Sequence, residues 1–190
     1  MTKAIYIIGP SSTGKTTLCD VLARRLGLVG PAYITEVARQ VMKAKGYTRN
    51  DVGHVQMQID ILEEHLKREE KSTTFGVILC DRSAVDPVVY SQLTSETDLE
   101  AKRRLQLLTA NSAFQRALAR YRSPSSTVIL LAPVKEWVVD DGVRSLEQQD
   151  RCLQIYKELL RGWDIPYKEF GSETRFLYER MVLTLGLSGF

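Results

Sequence analysis

Gly9-Pro10-Ser11-Ser12-Thr13-Gly14-Lys15-Thr16, with Thr17 next, fits the phosphate-loop spacing Gly-x-x-x-x-Gly-Lys-Ser/Thr. Ala4-Ile5-Tyr6-Ile7-Ile8 before it is a short apolar run rich in β-formers, as a buried strand should be. Leu18, Val21, Leu22, Arg25 and Leu26 after it recur at helical spacing. Strand, glycine-bounded loop and helix are the context in which the pattern becomes a site. The glycines let the backbone curl so that its N–H groups point inward, and the helix N-terminus adds positive charge where a phosphate would sit. A chance match falls in roughly one random chain in a hundred of this length; the flanking strand and helix make it rarer. Gly9, Ser11, Ser12, Thr13, Gly14, Lys15, Thr16 and Thr17 are therefore the candidate nucleotide-binding residues of the loop. Lys15, expected to be exposed in an open loop, would reach the β- and γ-phosphates, and the Thr16 hydroxyl would bind Mg²⁺.

The chain has 190 residues, enough for one α/β domain with a full core, and residues 1–190 are read as one. Its 26 basic and 23 acidic residues leave a net charge of +3, too mild to imply a nucleic-acid surface. Cys19, Cys80 and Cys152 share no metal-ligand spacing, and an odd count without Cys-x-x-Cys points to reduced thiols in the cytoplasm. No signal peptide or membrane-length apolar run is visible. Oligomeric state, a homodimer included, stays open.

Pro31–Thr35 reads as a second strand reaching Glu36, and Val37–Lys45 as a helix stopped by Gly46. Residues 50–71 read as a long helix capped by Asn50 or Asp51, with Val52, Val55, Ile59, Leu62 and Leu66 as its sheet-facing stripe. On a second sector of that helix fall His54, Met57, Gln58, Ile61 and His65. That sector is a surface, a face packed on the neighbouring helix, or the wall of a small-ligand pocket. Gln58 is the residue there best suited to read a base or amide edge, and the two histidines, nearer the ends of the sector, should matter less.

Gly76–Asp81 reads as a third strand ending in an aspartate, the Walker B pattern in which a carboxylate beside the phosphate loop holds Mg²⁺. Thr16 and Asp81 are thus the candidate metal residues. Asp86-Pro87 fits a helix start as well as it fits a site. Helices follow at 87–94 and 98–121, a fourth strand at 127–132, a helix from Ser145-Leu146-Glu147-Gln148 to Arg161, a fifth strand at 166–170 and a last helix from Glu173. The alternation predicts an α/β fold: a five-stranded parallel sheet with helices on both faces and the site at the strands' carboxyl ends.

No Asn-Lys-x-Asp follows, as a GTPase would need, and Arg82 rather than a water-polarising glutamate comes after Asp81. An arginine stabilises transferring phosphate but cannot activate water, which favours phosphoryl transfer to a bound acceptor over hydrolysis. The polar excursion from Val134 to Arg151 would be a kinase-like lid, with Arg144 and Arg151 closing on the phosphates. Arg151 could equally pair with Glu147, and Arg144 could be solvated.

The phosphate loop, Glu36-Val37-Ala38-Arg39, Gln58 with Ile61-Leu62, Asp81-Arg82-Ser83 with Asp86, and Asp141-Gly142-Val143-Arg144 together resemble one family. It is the AAA-like P-loop domain typified by the ribosylnicotinamide kinase domain of bacterial NAD-biosynthesis regulators; more distantly the chain is similar to deoxyribonucleoside kinases. The resemblance covers nearly the whole chain. It implies ATP or GTP binding, Mg²⁺, and transfer to a nucleoside-like hydroxyl. Glu36 would then take the acceptor's proton and Arg82 would contact phosphates, with Lys15, Asp81 and Arg144 completing the catalytic set. Glu36, Arg39, Gln58, Arg82 and Asp86 would face the acceptor. The alternative reading of Glu36 is a carboxylate paired with Arg39. The competing class is a nucleotide-binding regulatory switch; the sequence shows no DNA-binding or adenylyltransferase domain, which counts against the regulator's full role.

Overall fold

In the computed structural model of the protein, the described residues are 2–134 and 146–190. The strands are β1 (Lys3–Ile8), β2 (Tyr33–Ile34), β3 (Val77–Asp81), β4 (Ser126–Leu131) and β5 (Lys168–Phe170). They pair in the order β2-β3-β1-β4-β5, all parallel. Side chains alternate faces along a strand, so β1 feeds two cores. Tyr6 and Ile8 enter one, and Ile5 and Ile7 the other; all four are fully buried. Helices α1 (Lys15–Leu26) and α8 (Leu177–Leu187) cover the Ile5/Ile7 face through Leu18, Leu22, Met181 and Leu185. Opposite lie α3 (Val55–Ser72), α4 (Val85–Leu93), α6 (Ser112–Tyr121) and α7 (Leu146–Gly162), through Leu62, Val88, Phe114 and Tyr156. The two remaining helices are α2 (Val37–Lys45) and α5 (Asp98–Thr109).

The register fixes the site. Ile7 of β1 lies beside Asp81 of β3, so the loop leaving β1 and the carboxylate ending β3 emerge together. Chain order reverses direction about β1, and the cleft opens at the carboxyl ends of the strands, as open parallel sheets place it.

Several boundaries depart from expectation for local reasons. The long helix starts at Val55, not at residue 50. Residues 49–51 form a separate 3₁₀ turn closed by a Thr48/Asp51 capping box, and Gly53 follows. The expected helix 98–121 is two helices, because Asn111 Oδ1 accepts from the Ala113 N–H and begins α6 anew. β2 is only two residues long, with a 3₁₀ turn at Gly30–Ala32 where Pro31 was expected in the strand. β5 begins at Lys168, two residues later than expected, and α8 at Leu177, after a 3₁₀ turn at Ser172–Thr174. The lid stretch with Asp140, Asp141, Gly142, Val143 and Arg144, and the capping residue Ser145, lie outside the described residues. No described helix is long and apolar enough to cross a membrane.

Candidate active site

The phosphate loop is built from backbone constraints. Gly9 sits at φ 137°, and a Cβ there would come within 2.4 Å of the Leu131 carbonyl oxygen, so no side chain is tolerated. Ser12 (φ 60°) and Gly14 (φ 85°) take left-handed conformations, the curl that turns successive N–H groups inward. Thr13 Oγ1 donates to the Pro10 carbonyl at 3.0 Å and braces the curl. Ser11 is half-buried; Ser12, Thr16 and Thr17 are exposed.

Lys15 is buried, against the expectation of an exposed side chain. Its Nζ folds back to donate to the Pro10 carbonyl, with Thr13 Oγ1 at 3.4 Å. Burial first, then the neighbouring Arg82 charge, pull its pKa down to about 7. A phosphate would replace the Pro10 carbonyl as its partner and restore the charge.

Thr16 Oγ1 donates to Asp81 Oδ2 at 2.7 Å, while Asp81 Oδ1 is buried with no protein partner. Burial pushes the Asp81 pKa up, against the Thr16 hydrogen bond and the Arg82 and Lys15 charges. An orphaned carboxylate oxygen beside a threonine hydroxyl is the hard-oxygen donor set that Mg²⁺ takes, its other positions going to water and phosphate. The residues therefore fit the metal.

Arg82, Asp86 and Glu36 follow the strand ends. Arg82 stands at φ 79°, a strained conformation for an arginine, held by its N–H to the Ile7 carbonyl at 3.0 Å. Its guanidinium donates to Asp86 Oδ1 at 2.9 Å and lies 5.8 Å from the Tyr90 ring centre. Burial opposes its charge, but Tyr90 and Asp86 hold its pKa above the ordinary arginine value. Asp86 is not the cap of α4; that position is Ala84, and Asp86 is the second helical residue. It accepts from the Ser83 N–H (2.8 Å), Ser83 Oγ (3.2 Å), Arg82 and the Tyr156 hydroxyl (2.7 Å), so both its oxygens are engaged in holding the site together. Glu36 starts α2 in a left-handed conformation and pairs with Arg39 at 3.0 Å; Arg39 is largely exposed. Ile34 pairs with Cys80, so Glu36 and Arg82 follow the ends of neighbouring strands.

The second sector of α3 is buried, not surface. Met57, Gln58, Ile61 and His65 are all at most 5 % exposed, while Val52, Val55 and Ile59 of the expected stripe are only half-buried. His54 is the exception: it is exposed and pairs with Asp51 at 3.2 Å. Gln58 and His65 line a pocket of about 150 Å³, with Met57, Arg82, Asp86 and Tyr90 among the other walls. Gln58 Nε2 donates to the Val52 carbonyl at 2.9 Å. A wider space of about 370 Å³ adjoins it through the shared Val52 and Tyr90, and reaches Pro10 and Ser11 of the phosphate loop. Gln149, buried there, has neither amide atom partnered. Arg151 is exposed on α7 and lines neither space. The Glu147 side chain, its proposed alternative partner, lies outside the described residues.

A residue that braces the phosphate loop carried no signal in the sequence. Arg180 of α8 is 2 % exposed and donates to three carbonyls: Thr174 (2.6 Å), Thr13 (3.0 Å) and Gly171 (3.3 Å). It ties the phosphate loop to the loop after β5. An arginine beside Glu179 on a largely apolar helix has no motif to announce it, and its partners are main-chain atoms of any residue type.

A family profile described as an AAA domain matches residues 4–175. The chain belongs to that AAA-domain family. No curated protein sequence matches it. Among solved structures, NadR in complex with NR is 16 % identical with a TM-score of 0.74; all of this chain matches 51 % of that one, so this chain spans about half of NadR. NadR with NAD and AMP-PNP aligns similarly, at 17 % and 0.71. A deoxyadenosine kinase from M. mycoides, with dCMP and dCDP bound, is 15 % identical with a TM-score of 0.68, over 96 % of this chain and 97 % of that one. At such identities the likeness establishes the fold alone, a P-loop α/β architecture with a five-stranded parallel sheet, as the sequence predicted.

Proposed function

We propose that this chain transfers the γ-phosphoryl group of ATP, with Mg²⁺, to a hydroxyl of a small nucleoside-like acceptor. The observation that carries the reading is one cleft with two different ends. A phosphate loop closes one end; a buried pocket with polar reading groups, Gln58 and His65, closes the other. Hydrolysis alone needs no such pocket. The relatives of this fold support both ligands: NadR was solved with AMP-PNP and with NR, and the deoxyadenosine kinase with dATP.

Thr16 and Asp81 would hold Mg²⁺, which neutralises phosphate charge when bound. Lys15 draws off charge at the β- and γ-phosphates, and Arg82 at the transferring group. The acceptor oxygen forms the new bond to phosphorus as the bond to the bridging oxygen breaks, and the nucleoside diphosphate leaves with that electron pair. Glu36 takes the hydroxyl proton. Arg144 and Arg151 are the candidates for closing over the phosphates. Asp86 acts by holding Arg82 rather than by touching the acceptor, and Arg39 only pairs with Glu36 at the surface.

Release of nucleoside diphosphate from ATP or GTP, measured over a nucleoside panel, tests this. Turnover should depend on the added acceptor. Slow turnover that ignores every acceptor would overturn the reading in favour of a nucleotide-binding switch.

A further inference from the structure

His65 sits on α3 at 1 % exposure, and both its ring nitrogens are buried without a hydrogen-bond partner. Proteins rarely keep such groups, because leaving a buried polar atom unpaired is costly and an apolar side chain of the same shape removes the cost. Phenylalanine or leucine would fill this position more stably. His65 lines the 150 Å³ pocket, so a bound molecule can reach it. Burial pulls its pKa down to about 4, which leaves the ring neutral at pH 7. A neutral imidazole presents one N–H and one lone pair.

Of the other polar groups of the pocket, Arg82 and Asp86 are engaged with each other at 2.9 Å, and Gln58 is a second reading group beside His65. Asp86 has both oxygens engaged by Ser83, Arg82 and Tyr156. Gln58 is anchored through Nε2 to Val52, which turns its Oε1 into a fixed acceptor. Met57, Ile61 and Tyr90 supply apolar and aromatic walls. A cavity near this size accepts a benzene-sized ring, and the adjoining 370 Å³ space leads from it to the phosphate loop.

We infer that His65 selects the acceptor by reading a planar ring edge that carries a hydrogen-bond donor beside an acceptor. The ring occupies the small pocket and the sugar extends toward the loop. This deepens the kinase reading, on which it rests only in calling the ligand an acceptor. His65, expected to matter less than Gln58, is then the main discriminating residue.

The test is calorimetric binding to the full chain of three nucleoside pairs that differ by one amino or amide group. They are adenosine against purine riboside, cytidine against pyrimidin-2-one riboside, and ribosylnicotinamide against pyridinium riboside. Wild type should bind one parent at least tenfold more tightly than its stripped partner. His65→Phe should reduce that ratio to within twofold while raising the melting temperature, since an unpaired polar group is removed. His65→Gln, which keeps a donor and an acceptor, should retain much of the ratio; His65→Leu should lose it as His65→Phe does, and it serves if His65→Phe does not fold. An unchanged ratio in His65→Phe or its apolar substitute, or no binding of any parent, overturns the inference. Discrimination without phosphoryl transfer would sink the kinase reading and leave this one standing; transfer without discrimination does the reverse.

Discussion

The phosphate loop and the acceptor pocket share one cleft and are built in opposite ways. The loop is made of consecutive residues whose backbone does the work, and its side chains are satisfied within the protein: Thr13 and Lys15 donate to the Pro10 carbonyl, and Thr16 to Asp81 at the end of β3. The pocket is made of single side chains from α2, α3 and α4 and keeps His65 unpartnered. A self-satisfied loop can fold without its ligand. A pocket with orphaned polar atoms gives up stability in the free protein and regains it on binding. On the proposed function, the loop would supply a general phosphate site and the pocket would supply selection.

Lys15→Met breaks the loop side most severely. Turnover should fall on the order of a hundredfold or more, as loss of one preorganised charge contact does. Stability should not fall, because the lysine is buried and its charge opposed. The unfolded chain holds the Lys15 proton up to an ordinary pKa of 10.5 and the folded, ligand-free chain only to about 7. The unfolded state thus binds more protons between those values, and stability rises with pH across that window. Melting curves should show the rise in wild type and lose it in Lys15→Met. Normal ATP turnover by the variant would end the phosphate-loop reading.

Glu36→Gln comes next. The amide keeps the shape and can still hydrogen-bond Arg39, but it cannot take a proton, and general-base loss lowers kcat by about a hundredfold or more. ATP affinity should stay within twofold. A kcat equal to wild type would remove Glu36 from the chemistry.

Gln58→Leu tests the pocket side. The acceptor kcat/KM should drop by about 1–3 kcal/mol worth, the cost of an unpaired polar partner, while the KM for ATP holds. Equal losses toward both substrates would mean that the pocket and the loop are not separate functions.

The same contrast explains what the sequence could tell. The loop was legible because its chemistry depends on neighbours in the chain, and Gly9 and Gly14 are demanded by backbone geometry. The strand ends were legible too: Asp81 meets Thr16 because the β1/β3 register puts it there. The pocket was legible only as a helix face. Periodicity placed His54 and His65 in one sector but could not say that the helix begins after His54, leaving that residue exposed on a turn. Asp86 looked like a cap because the residue that fills its valence, Tyr156, is 70 positions away. Arg180 reaches the loop across 167 positions. Contacts of that span are made by tertiary packing, which no local pattern records.

Arg39→Ala should have the smallest effect, and it decides how Glu36 is to be read. The Glu36–Arg39 pair is 3.0 Å long, but the arginine side chain is 82 % exposed. Exposed pairs of this kind contribute about 0–1 kcal/mol, because water screens them and two long side chains must be held still. Removing Arg39 should therefore shift the melting temperature little and leave acceptor kinetics within about twofold. Glu36 keeps its place without it: the left-handed turn at the start of α2 is fixed by the helix that follows, whose first N–H bond runs from Gln40 to the Glu36 carbonyl at 3.0 Å. If the carboxylate serves the acceptor, Glu36→Gln is crippling and Arg39→Ala is nearly silent. If it serves only the pair, the two variants behave alike. Measuring kcat for both under saturating ATP separates the cases, and equal, small losses would return Glu36 to a surface role.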